Sequence, residues 1–319
     1  MTDFVQGLPH GIHVIDTGFV RARFDAAYLI VERGHAAFID TGTNHGVPRL
    51  LAALGQAGVG PEAVDWLIAT HVHLDHAGGV GLLMRSLPNA RLVVHPRGAR
   101  HLIDPSALVA GATAVYGQAE MARSYGTIVG VDADRVMATH DGFTLDLAGR
   151  PLVFIDTPGH ARHHHCVWDE ASRGWFTGDT FGLAYPEFAT EHGPFMLPTT
   201  TPVQFEPAPL RASVARLLER VPERMYVTHF GAVGAGVADV ARLGAQLLDV
   251  VDAMVDLARD APADASRHDA LKRAFEALYQ ERLRAHGVAL PEARLRELLA
   301  VDVELNAQGV GVWLDRAIA

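Results

Sequence analysis

The sequence predicts an α/β layered domain followed by a helical C-terminal extension. Short β-rich runs alternate with helical segments along most of the 319-residue chain, which is typical of sheets covered by helices. Further on, apolar residues recur at spacings of three and four from Val237 to Leu257, which predicts an amphipathic helix. We therefore expect the layered domain over residues 1–235 and the helical extension over residues 236–319.

The first part of the chain alternates strands and helices. Runs rich in β-branched residues predict strands, and the turn between two of them is expected at Arg33-Gly34. Helical spacing predicts helices over 48–57 and 78–87. The expected strands are 12–16, 27–32, 36–40, 64–70 and 91–95.

A helical segment over 105–125 interrupts the alternation, and we interpret it as an insertion. The stretch 181–209 is rich in Pro and Thr without a clear period, so a long loop is expected there; such loops are usually functional or disordered. A helix is predicted over 209–221. The remaining expected strands are 135–138, 144–147, 151–156, 166–168, 175–177 and 225–228.

Charge and cysteine content exclude several classes of protein. With 27 basic and 37 acidic residues the net charge is −10, and this acidity disfavours nucleic acid or an anionic membrane as a partner. No apolar run is long enough to span a bilayer, and the first residues do not resemble a signal peptide, so a cytoplasmic protein is expected. Cys166 is the single cysteine; we interpret it as a buried strand residue and not a nucleophile.

Four potential metal ligands directly follow the predicted strand 64–70. His71 and His73 point to the same side of an extended backbone. If the chain then turns into a helix, Asp75 and His76 face a second centre beside the first. Imidazole and carboxylate groups suit a divalent metal such as zinc, so this HxHxDH pattern predicts a metal site.

Three further apolar strands end in the same kind of residue. His160 follows a strand and a Pro-Gly turn, Asp179 follows a strand and a glycine, and His229 directly follows the strand 225–228. Each alone is weak evidence, but with HxHxDH they predict ligands delivered to one edge of the domain. Asp40 similarly follows a strand and precedes Thr41-Gly42.

In this order the motifs HxHxDH, TPGH, TGDT and a late TH resemble those of the metallo-β-lactamase-fold hydrolases over about residues 10–235. The resemblance implies a four-layer αββα sandwich with its site at one edge of the two sheets. It also implies two metal ions, one held by three histidines, a second held by three other residues, and a carboxylate bridging both. Those sets are His71, His73 and His160 for the first ion, Asp75, His76 and His229 for the second, and Asp179 as the bridge.

Two such ions would share and acidify a water, and the resulting bridging hydroxide would attack a carbonyl or phosphoryl group. Asp75 is expected to act catalytically, by orienting that hydroxide and relaying its proton. Asp40 is interpreted as a residue that bonds a ligand or, alternatively, as a turn former. Zinc is expected, with iron or manganese as alternatives that these ligand types do not exclude.

The predicted reaction is hydrolysis of an ester, thioester or lactone bond in a small-molecule substrate. Asp179 stands where the main class of zinc β-lactamases has Cys, which disfavours a β-lactam. The extension contains one lysine, Lys272, so glutathione thioesters are not favoured. Alternatives are a phosphodiesterase, an iron-dependent oxidoreductase of the same fold, or a ligand-sensing, effector-type protein with weak hydrolase activity.

Several residues are assigned to the surroundings of the metals. His164 is expected either to contact substrate or a ligand, or to point into solvent from a strand. The insertion and the extension resemble those of an α-helical-capped branch of the family, and both are expected to cover the metal edge. The C-terminal stripe also allows a homo-oligomer. Residues that line the pocket or, alternatively, belong to the core are Tyr116, Met121, Tyr125, Tyr185, Phe188 and Phe195.

Overall fold

A computed structural model describes residues 4–318 of the chain. The strands are β1 (Val5–Gly7), β2 (Ile12–Asp16), β3 (Ala26–Glu32), β4 (His35–Ile39), β5 (Val64–Ala69), β6 (Arg91–Val94), β7 (Val136–Ala138), β8 (Thr144–Leu147), β9 (Arg150–Asp156), β10 (His165–Asp169), β11 (Gly174–Gly178), β12 (Arg224–Val227) and β13 (Gly231–Val233). The helices are α1 (Val47–Gln56), α2 (Leu74–Ala77), α3 (Val80–Met84), α4 (Pro96–Ile103), α5 (Ser106–Tyr116), α6 (Gln118–Ser124), α7 (Pro207–Glu219), α8 (Val237–Arg259), α9 (Arg267–Ala285) and α10 (Glu292–Ile318).

The strands form two mixed sheets. The first has the order β1-β2-β3-β4-β5-β6-β7 and the second the order β13-β12-β11-β10-β9-β8. Pairing is parallel from β4 through β7 and between β11 and β12, and antiparallel elsewhere. In each sheet, therefore, parallel neighbours deliver their following loops to a common edge.

Side chains on alternate positions of the strands separate the interior into layers. In β3, Tyr28 and Ile30 pack between the two sheets against Phe154 and Phe176. The intervening Leu29 faces the other way, toward helices α1 and α3. The fully buried pattern of this strand therefore follows from its having a packed layer on each side.

Helices cover the outer face of each sheet. Leu50 and Leu54 of α1 pack on the first sheet, while Leu217 of α7 and Leu243 of α8 pack on the second. Helix, sheet, sheet and helix give the four-layer αββα sandwich that was expected. The apolar stripe of α8 also begins the predicted C-terminal extension.

The extension has a core of its own with the long loop. Buried residues of α8, α9 and α10 cluster with Leu183, Phe195 and Phe205 from the stretch between β11 and α7. The predicted loop 181–209 is confirmed up to Pro207, where α7 begins, apart from one helical turn at Pro186–Phe188. Packing against the extension gives this loop a defined course although its sequence has no period.

The structure differs from the prediction at several elements. The short strands β1 and β13 were not predicted. The helix expected over 78–87 is the shorter α3, and the separate helix α2 precedes it, before Gly78-Gly79. The helical insertion begins earlier than expected, because α4 precedes it. In α4 a Cβ at Gly98 would lie 2.6 Å from Val72, so glycine at this position allows close packing. Because glycine has a low helix propensity, the sequence did not predict this helix.

Among residues 4–318, none of the helices has the length and apolar character needed to cross a membrane.

Candidate metal centre

All seven predicted ligands come together at one edge of the two sheets. His71 and His73 follow β5, and the short helix α2 carries the next two. The others follow β9, β11 and β12. A hydrogen bond from the His165 N–H to the Thr70 carbonyl, 3.0 Å, joins the two sheets at this edge. The full set is His71, His73, Asp75, His76, His160, Asp179 and His229.

Three histidines form the first group. Nδ1 of His73 lies 2.8 Å from Nε2 of His71 and 3.1 Å from Nε2 of His160. Their nitrogens, with an oxygen of Asp179, all lie within 4.8 Å of one another. Three imidazole nitrogens aimed at one point fit a single divalent ion.

The second group consists of Asp75, His76 and His229. Oδ2 of Asp75 lies 3.5 Å from Nε2 of His229 and 3.8 Å from Nε2 of His76. His76 is fully buried, whereas the side chain of Asp75 is 28% exposed. Asp75 therefore borders solvent while its histidine partners are enclosed.

Asp179 lies between the two groups and presents one carboxylate oxygen to each. Its Oδ2 is 3.2 Å from Nε2 of His160. Its Oδ1 is 3.3 Å from Nε2 of His76 and 3.7 Å from Nε2 of His229. This is the arrangement expected of a carboxylate shared by two ions.

The histidine rings are held from behind by acceptors. Nδ1 of His229 donates to the Phe24 carbonyl at 2.9 Å, and Nδ1 of His160 donates to the Thr199 carbonyl at 3.2 Å. Because a carbonyl only accepts, each Nδ1 carries a proton, and in the neutral imidazole that binds a metal each Nε2 has a free lone pair. Such outer partners orient ligands and raise their basicity.

Asp40 provides the corresponding partner for His76, with Oδ2 2.9 Å from Nδ1. Its carboxylate also accepts from the Thr70 backbone and hydroxyl and from the Thr228 hydroxyl. Asp40 has a φ of +57°, a region that Asp and Asn tolerate better than most residues. The two interpretations of Asp40 from the sequence, a ligand partner and a turn former, thus describe the same residue.

The protonation of the two groups differs in the metal-free protein. Burial, helped by neighbouring imidazoles, lowers the pKa of His71 and His73 well below the usual value. Burial acts the same way on His229, but the hydrogen bond with Asp75 and the charge of Asp179 outweigh it and raise the pKa of His229 to about 9. The pKa of His76 is likewise raised, by Asp179, Asp75 and Asp40 against the effect of burial. His71 and His73 in the first group are thus neutral, whereas His76 and His229 in the second group are protonated and offset the negative charge of the carboxylates.

The residues present fit a pair of divalent ions. Nε2 of His76 and Oδ1 of Asp179 are buried without a hydrogen-bond partner among the described residues. Unpaired buried polar atoms are costly, and here they face each other inside a cluster of nitrogen and carboxylate ligands. Bound ions in this position would satisfy them.

His164 lies behind the predicted ligands and is 1% exposed. Its Nε2 accepts from the Asp179 backbone N–H at 3.2 Å, and its ring stacks on that of His71 with centroids 4.8 Å apart. Its Nδ1 is hydrogen-bonded to the Thr157 hydroxyl at 2.8 Å. Of the two sequence-based alternatives, the structure therefore excludes the one in which this side chain points into solvent.

The residues expected to line a pocket are mostly enclosed. Tyr185, Phe188 and Phe195 belong to the core of the extension, and the Tyr185 hydroxyl donates to Asp302 of α10 at 3.1 Å. Met121 and Tyr125 pack on Leu74, beside His73 and Asp75. The side chain of Tyr116 lies outside the described part of the chain.

Some residues at the site could not be found from the sequence. Phe24 and Thr199 act through backbone carbonyls, which every residue possesses. Asp302 and Asn306 lie in α10, where a polar residue on a helix normally indicates an exposed face. Both are instead buried.

Comparison with known proteins agrees with this geometry. The family model of the metallo-beta-lactamase superfamily matches residues 20–229. A metallo-beta-lactamase fold-containing protein of Sulfurisphaera tokodaii is 26% identical over 228 residues, which are 70% of this chain and 79% of that protein. The solved structure of an archaeal metallo-beta-lactamase superfamily protein from Sulfolobus tokodaii superposes with a TM-score of 0.67 at 22% identity, covering 95% of this chain and 99% of that one.

A hydroxyacylglutathione hydrolase of Yersinia pestis is 26% identical over 194 residues, which are 61% of this chain. The match spans 50% of that enzyme's length. The matched segment of the family model begins before Asp40 and ends at His229, so it includes every predicted ligand. The chain belongs to the metallo-beta-lactamase superfamily.

Proposed function

We propose that this protein is a hydrolase that cleaves an ester, thioester or lactone bond of a small molecule with the help of two divalent metal ions. Zinc is the metal proposed, with iron and manganese as alternatives. The observation that carries the proposal is the position of Asp179, with one carboxylate oxygen toward each group of ligands. His71, His73 and His160 would hold one ion, and Asp75, His76 and His229 the other. When bound, the ions would acidify a water molecule and polarise the bond to be cleaved.

Asp75 is the residue best placed to move a proton. Its side chain is partly exposed, and the charges of His76 and His229 outweigh the effect of burial and hold the pKa of Asp75 below its usual value. An ionised carboxylate at the solvent border is able to accept a proton from the attacking water and pass it to the leaving group.

The surroundings favour a substrate with an apolar part. Leu74, Met121 and Tyr125 form a buried cluster beside the ligands, and Phe19 packs against it. Phe19 also lines a cleft of about 400 Å³ with Thr43, His45 and the end of α6, and none of the seven predicted ligands is among the residues that line it. The relationship to hydroxyacylglutathione hydrolase supports including thioesters.

Metal analysis combined with a substrate panel tests the proposal. Purified protein should contain close to two equivalents of zinc by mass spectrometry, with iron or manganese as the other metals assayed. Turnover of p-nitrophenyl esters, acyl thioesters and lactones should disappear on chelation and return on adding zinc. Asp179→Ala should lose both metal and turnover, whereas Asp65→Ala, at an exposed His–Asp pair with His35, should keep both. Inactivity on the whole panel with both ions bound would instead favour a ligand-sensing protein.

A further inference from the structure

One buried amide connects the C-terminal extension to the candidate metal centre. Asn306 of α10 is 0% exposed. Its Oδ1 accepts from the Thr200 backbone N–H at 2.8 Å, and its Nδ2 donates to the Pro198 carbonyl at 3.0 Å. The side chain therefore holds the backbone on both sides of Thr199.

The same amide is anchored by the other two helices of the extension. Its second Nδ2 hydrogen is donated to the Tyr279 hydroxyl of α9 at 2.7 Å. That hydroxyl in turn donates to the sulfur of Met254 in α8 at 3.1 Å. Because each donor and acceptor of the Asn306 side chain has a partner, its orientation is fixed.

The segment held by Asn306 is the one that holds His160. The Thr199 carbonyl accepts from Nδ1 of His160 at 3.2 Å. The Thr201 hydroxyl donates to the His160 carbonyl at 3.1 Å. Residues 198–201 therefore lie between α10 and a predicted ligand and contact both.

Glycine at position 309 provides an independent sign that this contact is close. A Cβ there would lie 2.2 Å from Oγ1 of Thr200 and 2.7 Å from the Thr201 carbonyl oxygen. The Thr200 hydroxyl also donates to the Leu305 carbonyl at 3.1 Å. A larger residue on this face of α10 would push the segment toward the ligands.

We propose that Asn306 is a positioning residue of the metal centre, which acts through the Thr199 carbonyl to hold His160 with Nε2 toward the ion. The inference rests on the proposed function, since it requires His160 to be a ligand. It gives the extension a role at the metal centre, because α8, α9 and α10 each contribute to the orientation of one predicted ligand. Loss of a partner behind a metal-bound histidine typically weakens metal affinity about 10–100-fold.

Asn306→Leu tests this role with metal affinity as the readout. Zinc affinity is measured by competition with a chromophoric chelator, and the absorption spectrum of the cobalt-substituted protein reports ligand geometry. We expect one of the two ions to bind about tenfold more weakly, at the lower end of the range for such partners, with the other unchanged. His160→Ala provides the benchmark for loss of the same ligand.

Gln280→Leu is the matched control, because Gln280 is a buried amide of α9 whose hydrogen bonds stay within that helix. It should leave zinc affinity and the cobalt spectrum unchanged. If Asn306→Leu does not fold, Gly309→Ala tests the positioning role instead. This variant keeps the Asn306 side chain, and alanine is a better helix former than glycine. Its methyl group would displace the segment 200–201 from the same face of α10, and the same tenfold loss is expected.

Each outcome bears on a different statement. A wild-type protein that binds no metal overturns the proposed function and this inference together. A wild type that binds two ions, with unchanged affinity in Asn306→Leu and Gly309→Ala, overturns the positioning role alone. An equal loss in Gln280→Leu also overturns it, since the effect would then belong to the extension in general.

Discussion

The carboxylate of Asp40 lies 2.9 Å from Nδ1 of His76, and both side chains are buried. The Asp40 charge favours the tautomer in which Nε2 of His76 faces Asp179 and the second group of ligands. The exposed pair of His35 and Asp65 has nearly the same geometry, with 2.8 Å between Nδ1 and Oδ2. These two pairs thus differ in their place, since that of Asp40 and His76 lies inside the candidate metal centre and that of Asp65 and His35 lies on the surface.

Asp40→Asn should weaken zinc binding by about 10–100-fold, because it removes the negative charge behind a predicted ligand. The measurement is competition with a chelator at constant pH. Asp65→Asn is the control and should leave zinc affinity unchanged. Equal affinities for wild type and Asp40→Asn would show that the negative charge of Asp40 is not needed for His76 to bind metal.

His164→Phe should lower kcat and zinc affinity while leaving KM unchanged. The aromatic ring preserves the packing on His71, but the acceptor for the Asp179 N–H is lost. Because His164 is only 1% exposed, it has no surface to offer a substrate. Steady-state kinetics on the best ester or thioester of the panel separates the two effects, and a raised KM with normal metal content would mean that His164 contacts substrate.

Asp302 should contribute more to the stability of the fold at pH 5 than at pH 8. Burial raises the pKa of Asp302 to about 7, against the hydrogen bond from Tyr185 and the charges of His229 and Arg21. Because the pKa in the folded state exceeds the unfolded value, the folded state holds a proton that the unfolded chain has released. The contribution of Asp302 to the free energy of unfolding therefore falls as pH rises from about 4 to about 7.

The comparison with Asp302→Asn isolates this contribution. Relative to wild type, the variant should gain stability with increasing pH through that window, by at most about 1.4 kcal/mol per pH unit. Chemical denaturation at several pH values and equal metal content measures the difference. Glu297→Gln removes a charge from an exposed position of α10 and serves as the control. A constant difference between wild type and Asp302→Asn would contradict the expectation.

Arg150→Met should destabilise the fold by about 3–5 kcal/mol, because it leaves the buried carboxylate of Asp169 without its partner. Arg150 donates from Nε and Nη2 to the two oxygens of Asp169 at 2.8 and 2.6 Å. The exposed pair of Arg173 and Glu223 is the control, and Arg173→Met should cost at most about 1 kcal/mol. Thermal and denaturant unfolding report both values, and a cost for Arg150→Met as small as that of the control would contradict the prediction.

The sequence predicted the layered fold and the set of residues at the metal edge, for a local reason. Apolar runs rich in β-branched residues predict the strands and apolar residues at spacings of three and four predict the helices, and both patterns involve residues close together in the chain. The ligands follow strand ends, and strands that run parallel in a sheet bring those ends to one edge. The motif around His71 could therefore be connected with His160, Asp179 and His229 although they are far apart in the chain.

The paths of the insertion and of the loop before α7 were harder to predict from the sequence. The helix α4 contains Gly98 and few apolar residues, and Gly98 packs closely on Val72. The loop 181–209 has no pattern of its own, and its path follows from contact with the extension. The division of the chain at residue 235 stays a prediction, since α8 packs both on the second sheet and within the extension.

What the sequence by itself determined is therefore the α/β class and the set of predicted ligands that meet at one edge of the sheets, because both depend on residue type and local spacing. Only the tertiary structure showed which groups form hydrogen bonds with the predicted ligand histidines and orient them. Asn306 and Thr200 are hydrogen-bonded across 106 residues, and Phe24 and Thr199 act through carbonyl groups that no residue type marks. Such contacts arise only after the helices have packed, since that packing sets the distance between a side chain and a distant backbone.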